Sequence, residues 1–420
     1  DYVCNITNTG LPVVVVNQPD GDTDWKQVGV KVWSKETDFD NVTPGEITIY
    51  NADGSVNVAA STAMTRLRGN TSKNFPKKPF AVKFDSKTSV LGMPKHKRWV
   101  LLANWKDKSL MRNHVAFGIA QKFSETFADS TPWQVHGEFV ELVYNGVHVG
   151  NYYLCEQIKI DGNRLDIQDE YDGETITSSN VGDFGYLMEC DDYYDENYKF
   201  VTRHYIPFQF KDDCDGGNVI KNYVQNKVQG IEDNLYKGNY STAYNDFDVY
   251  SFADYLLINE LAMNSEIGHP RSLYVYMDGT GKLKAGPVWD FDRGTFQNQE
   301  NAKNDLCDDN GPKNTDKYYR IKPDNEWLCW RTQESDTYSY IWYKKLITDP
   351  IFQQTVKERW AVLKPYLDDF AQLAGTKLKV VEEDEAVIEK ARINHAASNR
   401  VTGVVMDTDS GAILAMATTS

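Results

Sequence analysis

The sequence predicts an α+β fold, and three observations predict it. Strand-like apolar runs and alternations, such as Val13–Val16, Val28-Val30-Val32 and Phe80–Phe84, recur over the first hundred positions. An Asn145-Gly146 pair joins two apolar runs, the strongest short-range sign of a tight hairpin. Apolar residues then recur at helical spacing around 111–127, 248–263 and 338–373, so an antiparallel, hairpin-rich N-terminal part gives way to a helical C-terminal part. No repeat of fixed period occurs, which excludes solenoids and propellers.

The elements follow in order. Residues 1–60 read as strands, with the Val13–Val16 run, the alternation Val28, Val30, Val32, and a hairpin turning at Asn51-Ala52-Asp53-Gly54, expected to form one edge of a sheet. Further strands are expected at Met64–Arg68, Pro79–Phe84 and Arg98–Leu102. A helix follows because Met111, Val115, Ile119, Phe123 and Phe127 repeat every four residues, with Asp107 or Ser109 available to cap its start. That apolar stripe reads as core.

Next comes the hairpin Glu138–Tyr144 and Val147–Ile160, with Glu156 on its return strand. A strand at Gly185–Cys190 carries Glu189 into an acidic, Tyr-rich loop at Asp191–Tyr198, for which a solvated loop and a calcium loop are both open readings, although the alternation of an EF-hand is missing. Val249, Phe252, Leu256 and Met263 predict a core-facing helix, followed by a hairpin over Ser272–Tyr276 and Lys282–Val288 that ends in Trp289-Asp290-Phe291-Asp292. Helical periodicity is also expected over Val381–Ala397. Val401–Ser420 reads as one more short hairpin, similar to a phrase in penicillin-binding proteins but with no Ser-x-x-Lys after it.

In 420 residues, 41% hydrophobic content with 25 Tyr, 18 Phe and 10 Trp supplies ample core, and no long uncharged apolar run suggests a membrane span. A formal net charge of -16 argues against a nucleic-acid partner, because a polyanion would be repelled over most of the surface. Against that background, Arg66 to Arg98 holds ten Lys/Arg and one acidic residue, Asp85. Two readings are open: a solvated basic face, or a phosphate site built from a Gly69 turn, polar side chains and long cations. Six cysteines lack C-x-x-C spacing, which disfavours a zinc ribbon. Cys155 and Cys190 are expected as buried thiols, and Cys307 with Cys329 as the candidates for a disulfide.

Charged residues that interrupt apolar strands must be paired or bound to be tolerated there. Lys78, Lys83, Glu156, Glu189, Asp290 and Asp292 qualify. An ammonium with a glutamate, plus carboxylates at a strand end, is the chemistry of a nucleotide-phosphate site with a divalent ion; structural ion pairs are the alternative for each residue. Generic kinase signatures, G-x-G-x-x-G, Gly-Lys-Ser/Thr, His-Arg-Asp and Asp-Phe-Gly, are absent. So are metal-ligand histidine spacing and a nucleophile-elbow serine.

Five phrases stand in order: Arg66-x-Arg68-Gly69-Asn70-x-Ser72; Lys77-Lys78-Pro79-Phe80; Asn104-Trp105-x-Asp107-x-Ser109-x-x-Arg112-Asn113; Gly150-Asn151-Tyr152-Tyr153-Leu154-x-Glu156; and Gly286-Pro287-Val288-Trp289-Asp290-Phe291-Asp292. Together, over about Leu11 to Phe296, they resemble the spore-coat protein H (CotH) kinase family. The resemblance implies an atypical protein-kinase-like fold, ATP and Mg²⁺ as cofactors, and Ser/Thr of secreted or coat proteins as acceptors. It also implies a secreted or cell-surface location. The chain is read as a kinase-like core at 61–300, preceded by strands at 1–60 and followed by a loop and helices at 301–400 and a short tail at 401–420. By that resemblance Arg66, Arg68, Asn70 and Ser72 lie by the phosphates, Lys78 or Lys83 pairs with them, and Glu156 is the partner of the lysine. The two lysines are five apart, so on a regular strand they face opposite sides and only one can serve; Lys83 is favoured because it follows Phe80 and Val82 within the apolar run. Asp290 resembles the family's metal-binding aspartate, with Asp292 expected to assist, and the basic strands and Asp290 are expected to share one phosphate site.

Where relatives commonly show Asn-x-Asp, this chain has Asn264-Ser265-Glu266. The extra methylene moves the catalytic carboxylate by about one bond length, and a shift on the order of 1 Å can cost roughly a hundredfold in rate. The rival readings are therefore a pseudokinase, or a structural or adhesion protein using Tyr193, Tyr194, Trp327 and Trp330.

Overall fold

The computed structural model describes residues 9–19, 39, 42–107, 109–130, 133–167, 175–191, 193–211, 217–262, 264, 271–293, 295–296, 340–366, 369–370 and 373, and the backbone of 402–406 and 413–418. It is a mixed α+β structure in two compact units. The first comprises Asp1–Val115, His136–Gln157 and Asp368–Ser420, the second Ala116–Val135 and Ile158–Leu367.

Seven strands form a closed barrel in the first unit: β1 (Val13–Asn17), β2 (Gly45–Tyr50), β3 (Val56–Leu67), β4 (Phe80–Val90), β5 (Met93–Leu102), β6 (Gly137–Tyr144) and β7 (Val147–Glu156), in the order β1-β2-β3-β4-β5-β7-β6. All neighbours are antiparallel except β1 and β6, whose parallel pairing, Val13 with Glu141 through Val16 with Tyr144, closes the ring. The opening strands, expected at the edge of a sheet, thus lie in a barrel with no free edge. Gln18 clamps the seam. Its Oε1 accepts from Thr65 N at 3.1 Å, and its main chain exchanges two bonds with the side chain of Asn145, at 2.7 and 3.0 Å.

Alternation sends Val82, Phe84, Trp99, Leu101, Tyr152 and Leu154 inward, with Phe80 stacked on Tyr144 at 5.0 Å. Trp99 is fully buried, and truncating such a residue to alanine typically costs about 3–5 kcal/mol. The Asn145-Gly146 turn is present with both residues at positive φ (48° and 79°), as its composition predicts. A second such turn, Leu91-Gly92 (48° and 82°), extends β4 and β5 well beyond the strands expected there.

In the second unit five strands, β8 (Tyr186–Cys190), β9 (Lys199–Val201), β10 (Pro207–Phe210), β11 (Leu273–Met277) and β12 (Leu283–Ala285), form an antiparallel sheet of order β12-β11-β8-β10-β9. β12 stops at Ala285, short of the strand expected to Val288, because Pro287 has no N–H for the ladder and Gly286 turns at φ 111°.

Four longer helices complete the described chain: α1 (Arg112–Thr126), α2 (Asn218–Tyr236), α3 (Val249–Leu261) and α4 (Pro350–Leu363). Sequence reasoning passed over α2, although Ile220, Val224, Val228, Ile231 and Leu235 give it a regular buried stripe. α3 is buried at nine consecutive residues, Ser251 to Asn259, and capped by Asp248, which accepts from Ser251 N at 2.9 Å. The long C-terminal periodicity breaks at Asp349-Pro350, a cap followed by a first-turn proline. A final hairpin pairs β13 (Thr402–Met406) with β14 (Ile413–Thr418). The expectations for Val28–Val32, the Cys307–Cys329 pair, Trp327, Trp330 and the Val381–Ala397 helix lie outside the described residues; Cys155 and Cys190 are buried free thiols.

Candidate functional site

On the first unit, the outward face of β3, β4 and β5 gathers cations. Met64, Lys83 and Arg98 are cross-strand partners, and Arg66 lies two residues along, opposite Ala81. The ring of Phe39 is the platform they share: its centroid is 5.0 Å from the Arg66 guanidinium, 5.8 Å from Lys83 Nζ and 4.5 Å from the Arg98 guanidinium. Cations are attracted to a ring face at such distances, so one buried aromatic holds three like charges together. Neither Phe39 nor Arg98 was singled out from sequence, because an isolated Phe between two aspartates carries no local signal.

β3 then ends in the Gly69 turn. Arg68 N donates to Pro79 O at 3.2 Å, and residues Ser72–Asn74 form one turn of 3-10 helix. Gly69 has φ 81°, and a Cβ there would lie 2.1 Å from Ser72 Oγ, so the turn admits glycine alone without rearrangement. Arg68, Asn70 and Ser72 are therefore grouped around one tight bend and are half-buried.

The two candidate lysines separate for a reason other than strand alternation. β4 begins at Phe80, so Lys78 precedes the strand: its Nζ donates to Lys73 O at 2.9 Å, its carbonyl accepts from Tyr152 OH, and burial lowers its pKa. The neighbouring Lys77, quoted in the second phrase but given no role there, donates to Asn151 O and sits 4.7 Å over the Tyr152 ring. Desolvation brings its pKa down to about 8, against the opposing pull of Glu141 and Asp107.

Glu156 is fully buried on the inward row of the barrel, opposite Trp99, and its Oε2 accepts from His136 N at 3.0 Å and contacts His136 Nδ1 at 3.0 Å. Lys83 lies on the outward row. The expected Lys83–Glu156 pair is therefore not what the register builds; the glutamate is held by His136.

The Asn104-to-Asn113 phrase is a helix-start network. Asp107, 1% exposed, accepts from Ser109 N (2.9 Å), Ser109 Oγ (2.6 Å) and Arg112 N (2.8 Å), while Asn104 Oδ1 accepts from Asn113 Nδ2 at 2.9 Å. These bonds satisfy otherwise orphaned donors of the first turn, as the capping expectation required.

On the second unit, Asp290 is half-buried in left-handed backbone, φ 69°, and its Oδ2 accepts from Ser272 Oγ at 3.3 Å. Non-glycine residues hold that conformation only where their surroundings enforce it. Here the flanking aromatics do so: Trp289 stacks on Phe117 at 5.6 Å and Phe291 meets the same ring edge-on at 6.3 Å. Asp292, two residues on, is also half-buried.

Asn264 is buried just beyond α3, its Nδ2 donating to Asn259 Oδ1 at 2.9 Å; Ser265 and Glu266 lie outside the described residues. Glu189 is paired with Lys211 at 2.8 Å, and Lys211 also binds Glu196 of the acidic loop at 2.7 Å. The two carboxylates raise the pKa of Lys211 despite desolvation. Among the described residues no cluster of three or more His, Cys, Asp or Glu is arranged to hold a metal ion, and no helix is long and apolar enough to cross a membrane.

The family description "CotH kinase protein" matches residues 65–371, well over half of the chain. The chain belongs to the CotH kinase protein family. No curated protein matches it. Within this CotH kinase chain the match begins near the end of β3, just before Arg66, and runs past α4. All the candidate residues from Arg66 to Asp292 lie inside it. β1, β2 and Phe39 precede it, so part of the barrel and the aromatic platform fall outside the matched segment.

Proposed function

We propose that this CotH kinase family member is an atypical, ATP- and Mg²⁺-dependent phosphotransferase of protein-kinase-like architecture, acting on Ser/Thr hydroxyls of secreted or surface proteins. The observation that carries this reading is the cation cluster on Phe39, inside a chain whose overall charge is strongly negative. Three cations beside a glycine turn are the donor set that a polyphosphate takes.

In this reading Arg66, Arg68 and Lys83 hold and orient the phosphates, and Asn70 and Ser72 donate hydrogen bonds from the Gly69 bend. Lys78, committed to Lys73 O, shapes that bend. Two half-buried carboxylates, Asp290 and Asp292, suit Mg²⁺, which is commonly bound through one or two carboxylates plus substrate phosphates. When bound, the ion neutralises charge on the transferring phosphoryl group. Asn264 is fixed by Asn259, and Glu266 is proposed to take the proton of the acceptor hydroxyl.

The test is transfer from labelled ATP to a Ser/Thr-rich acceptor protein. Loss of transfer in Asp290→Ala supports the reading; equal transfer in that variant removes the assigned metal ligand.

A specific observation favours a second reading, a pseudokinase or a structural or adhesion protein. Glu156 is engaged by His136 on the face of the sheet opposite Lys83, so the lysine–glutamate pair of an active kinase site is not assembled from these two residues. Calorimetry with ATP and Mg²⁺ separates the two, since no binding in the micromolar to millimolar range favours the structural role. Turnover that appears only in Glu266→Asp identifies a nucleotide binder without transfer.

A further inference from the structure

His136 and Glu156 form a dyad that the phosphotransfer reading does not use. The two residues are locked together three times: Glu156 N donates to His136 O at 3.0 Å, His136 N donates to Glu156 Oε2 at 3.0 Å, and the ring Nδ1 lies 3.0 Å from that same oxygen. Gly137 makes the approach possible. A Cβ there would lie 2.6 Å from both Cys155 Cβ and the Tyr153 ring, so only a bare backbone lets the chain enter β6 this close to the end of β7.

The burial is asymmetric. The Glu156 side chain is fully buried, whereas the His136 side chain is 50% exposed. A carboxylate oxygen only accepts, so in the neutral ring Nδ1 carries the hydrogen and Nε2 the lone pair. This is the arrangement by which a buried carboxylate orients an imidazole and stabilises the cation formed when the other nitrogen reacts.

The other described histidines are placed differently. His148 turns the opposite nitrogen, Nε2, to Glu141 at 2.7 Å; His96 is buried with Nδ1 accepting from Arg98 N; His114 packs on Phe139 and Tyr153; His204 lies flat on Tyr236 at 3.3 Å. A metal role has no further ligands among the described residues.

We propose that Nε2 of His136 is a phosphoryl acceptor, a modification site at which the chain carries phosphate as an N–P bond. The Nε2 lone pair attacks phosphorus, the N–P bond forms, and the bond from phosphorus to the leaving group breaks with its electron pair. With ATP the leaving group is ADP. The Nδ1 proton stays on the ring, and the resulting imidazolium is balanced by Glu156. Use of ATP as donor rests on the phosphotransferase reading; the nucleophilicity of His136 does not.

The experiment treats the full chain in parallel with phosphoramidate, a small donor that needs no kinase, and with ATP and Mg²⁺. Labelled histidines are located by mass spectrometry and the substituted nitrogen by ³¹P NMR. With phosphoramidate, His136 is expected to be labelled at Nε2 about tenfold faster than His148, and Glu156→Gln to remove about that advantage, the size of one charge-assisted hydrogen bond. His136→Asn, checked for folding by circular dichroism, loses the fast acid-labile signal and keeps the slow one at His148.

Labelling of His136 no faster than of His148, or at Nδ1, overturns the inference even where ATP phosphorylates Ser/Thr acceptors. Labelling by phosphoramidate with none from ATP upholds the acceptor and removes ATP as its donor, while the phosphotransferase reading stands or falls by transfer to the Ser/Thr acceptor.

Discussion

Lys83 and Glu156 stand on opposite faces of one sheet. Val82, the neighbour of Lys83, is cross-strand to Trp99, and Trp99 is cross-strand to Glu156, so the glutamate shares the inward row while the lysine shares the outward row with Arg98. Each residue has a separate set of neighbours as a result. Lys83 belongs with Arg66 and Arg98 on the Phe39 ring, and Glu156 belongs with His136.

Substitutions at Lys83 and Glu156 are therefore expected to act independently. In a double-mutant cycle by denaturant unfolding, Lys83→Met and Glu156→Gln should add to within about 0.5 kcal/mol. A coupling above about 1.5 kcal/mol would show that the two side chains pair after all.

Gly69→Ala should destabilise the chain by about 1–2 kcal/mol, since it imposes both a positive φ and a contact at 2.1 Å on Ser72 Oγ. Adding Ser72→Ala removes the contact but leaves the φ strain, so the double variant should recover only part of the loss. Full recovery in thermal unfolding would show that backbone conformation plays no part.

Lys77 should titrate at about 8, more than two units below an ordinary lysine. Because its folded pKa is depressed, the unfolded chain binds more protons between about 8 and 10.5, and the contribution of this group to stability rises with pH across that window. The pH dependence of amine acylation, read residue by residue by mass spectrometry, should place the midpoint for Lys77 near 8; a midpoint with the bulk of the lysines contradicts the desolvation argument.

In the second unit, Asp254 is fully buried and held by Arg359 through two bonds of 2.9 Å and by Ser130 Oγ at 2.5 Å. Desolvation raises its pKa to about 6, with Arg359 opposing the rise. The folded state thus binds the proton more tightly than the unfolded state, and stability from this group falls as pH rises from about 4 to about 6. Arg359→Met strands a buried carboxylate and should cost about 3–5 kcal/mol at neutral pH, with a smaller loss at pH 4. An equal loss at both pH values would assign the effect to packing on Phe127, over whose ring Arg359 lies at 3.7 Å.

Local patterns were legible without coordinates. Asn145-Gly146 announced its hairpin, the Met111-to-Phe127 stripe a helix that ends at Thr126, and Asp107 its cap, because turns, amphipathic faces and caps depend on residues a few positions apart. The ordered phrases from Arg66 to Asp292 carried the family. The sequence by itself thus determined the α+β class, the family and the cationic segment. Tertiary structure alone decided that β1 closes a barrel on β6, that Phe39 seats three cations, and that Glu156 holds His136 and faces away from Lys83. Those facts depend on register and on contacts between residues far apart in the chain, where a shift of one position turns every side chain to the other face.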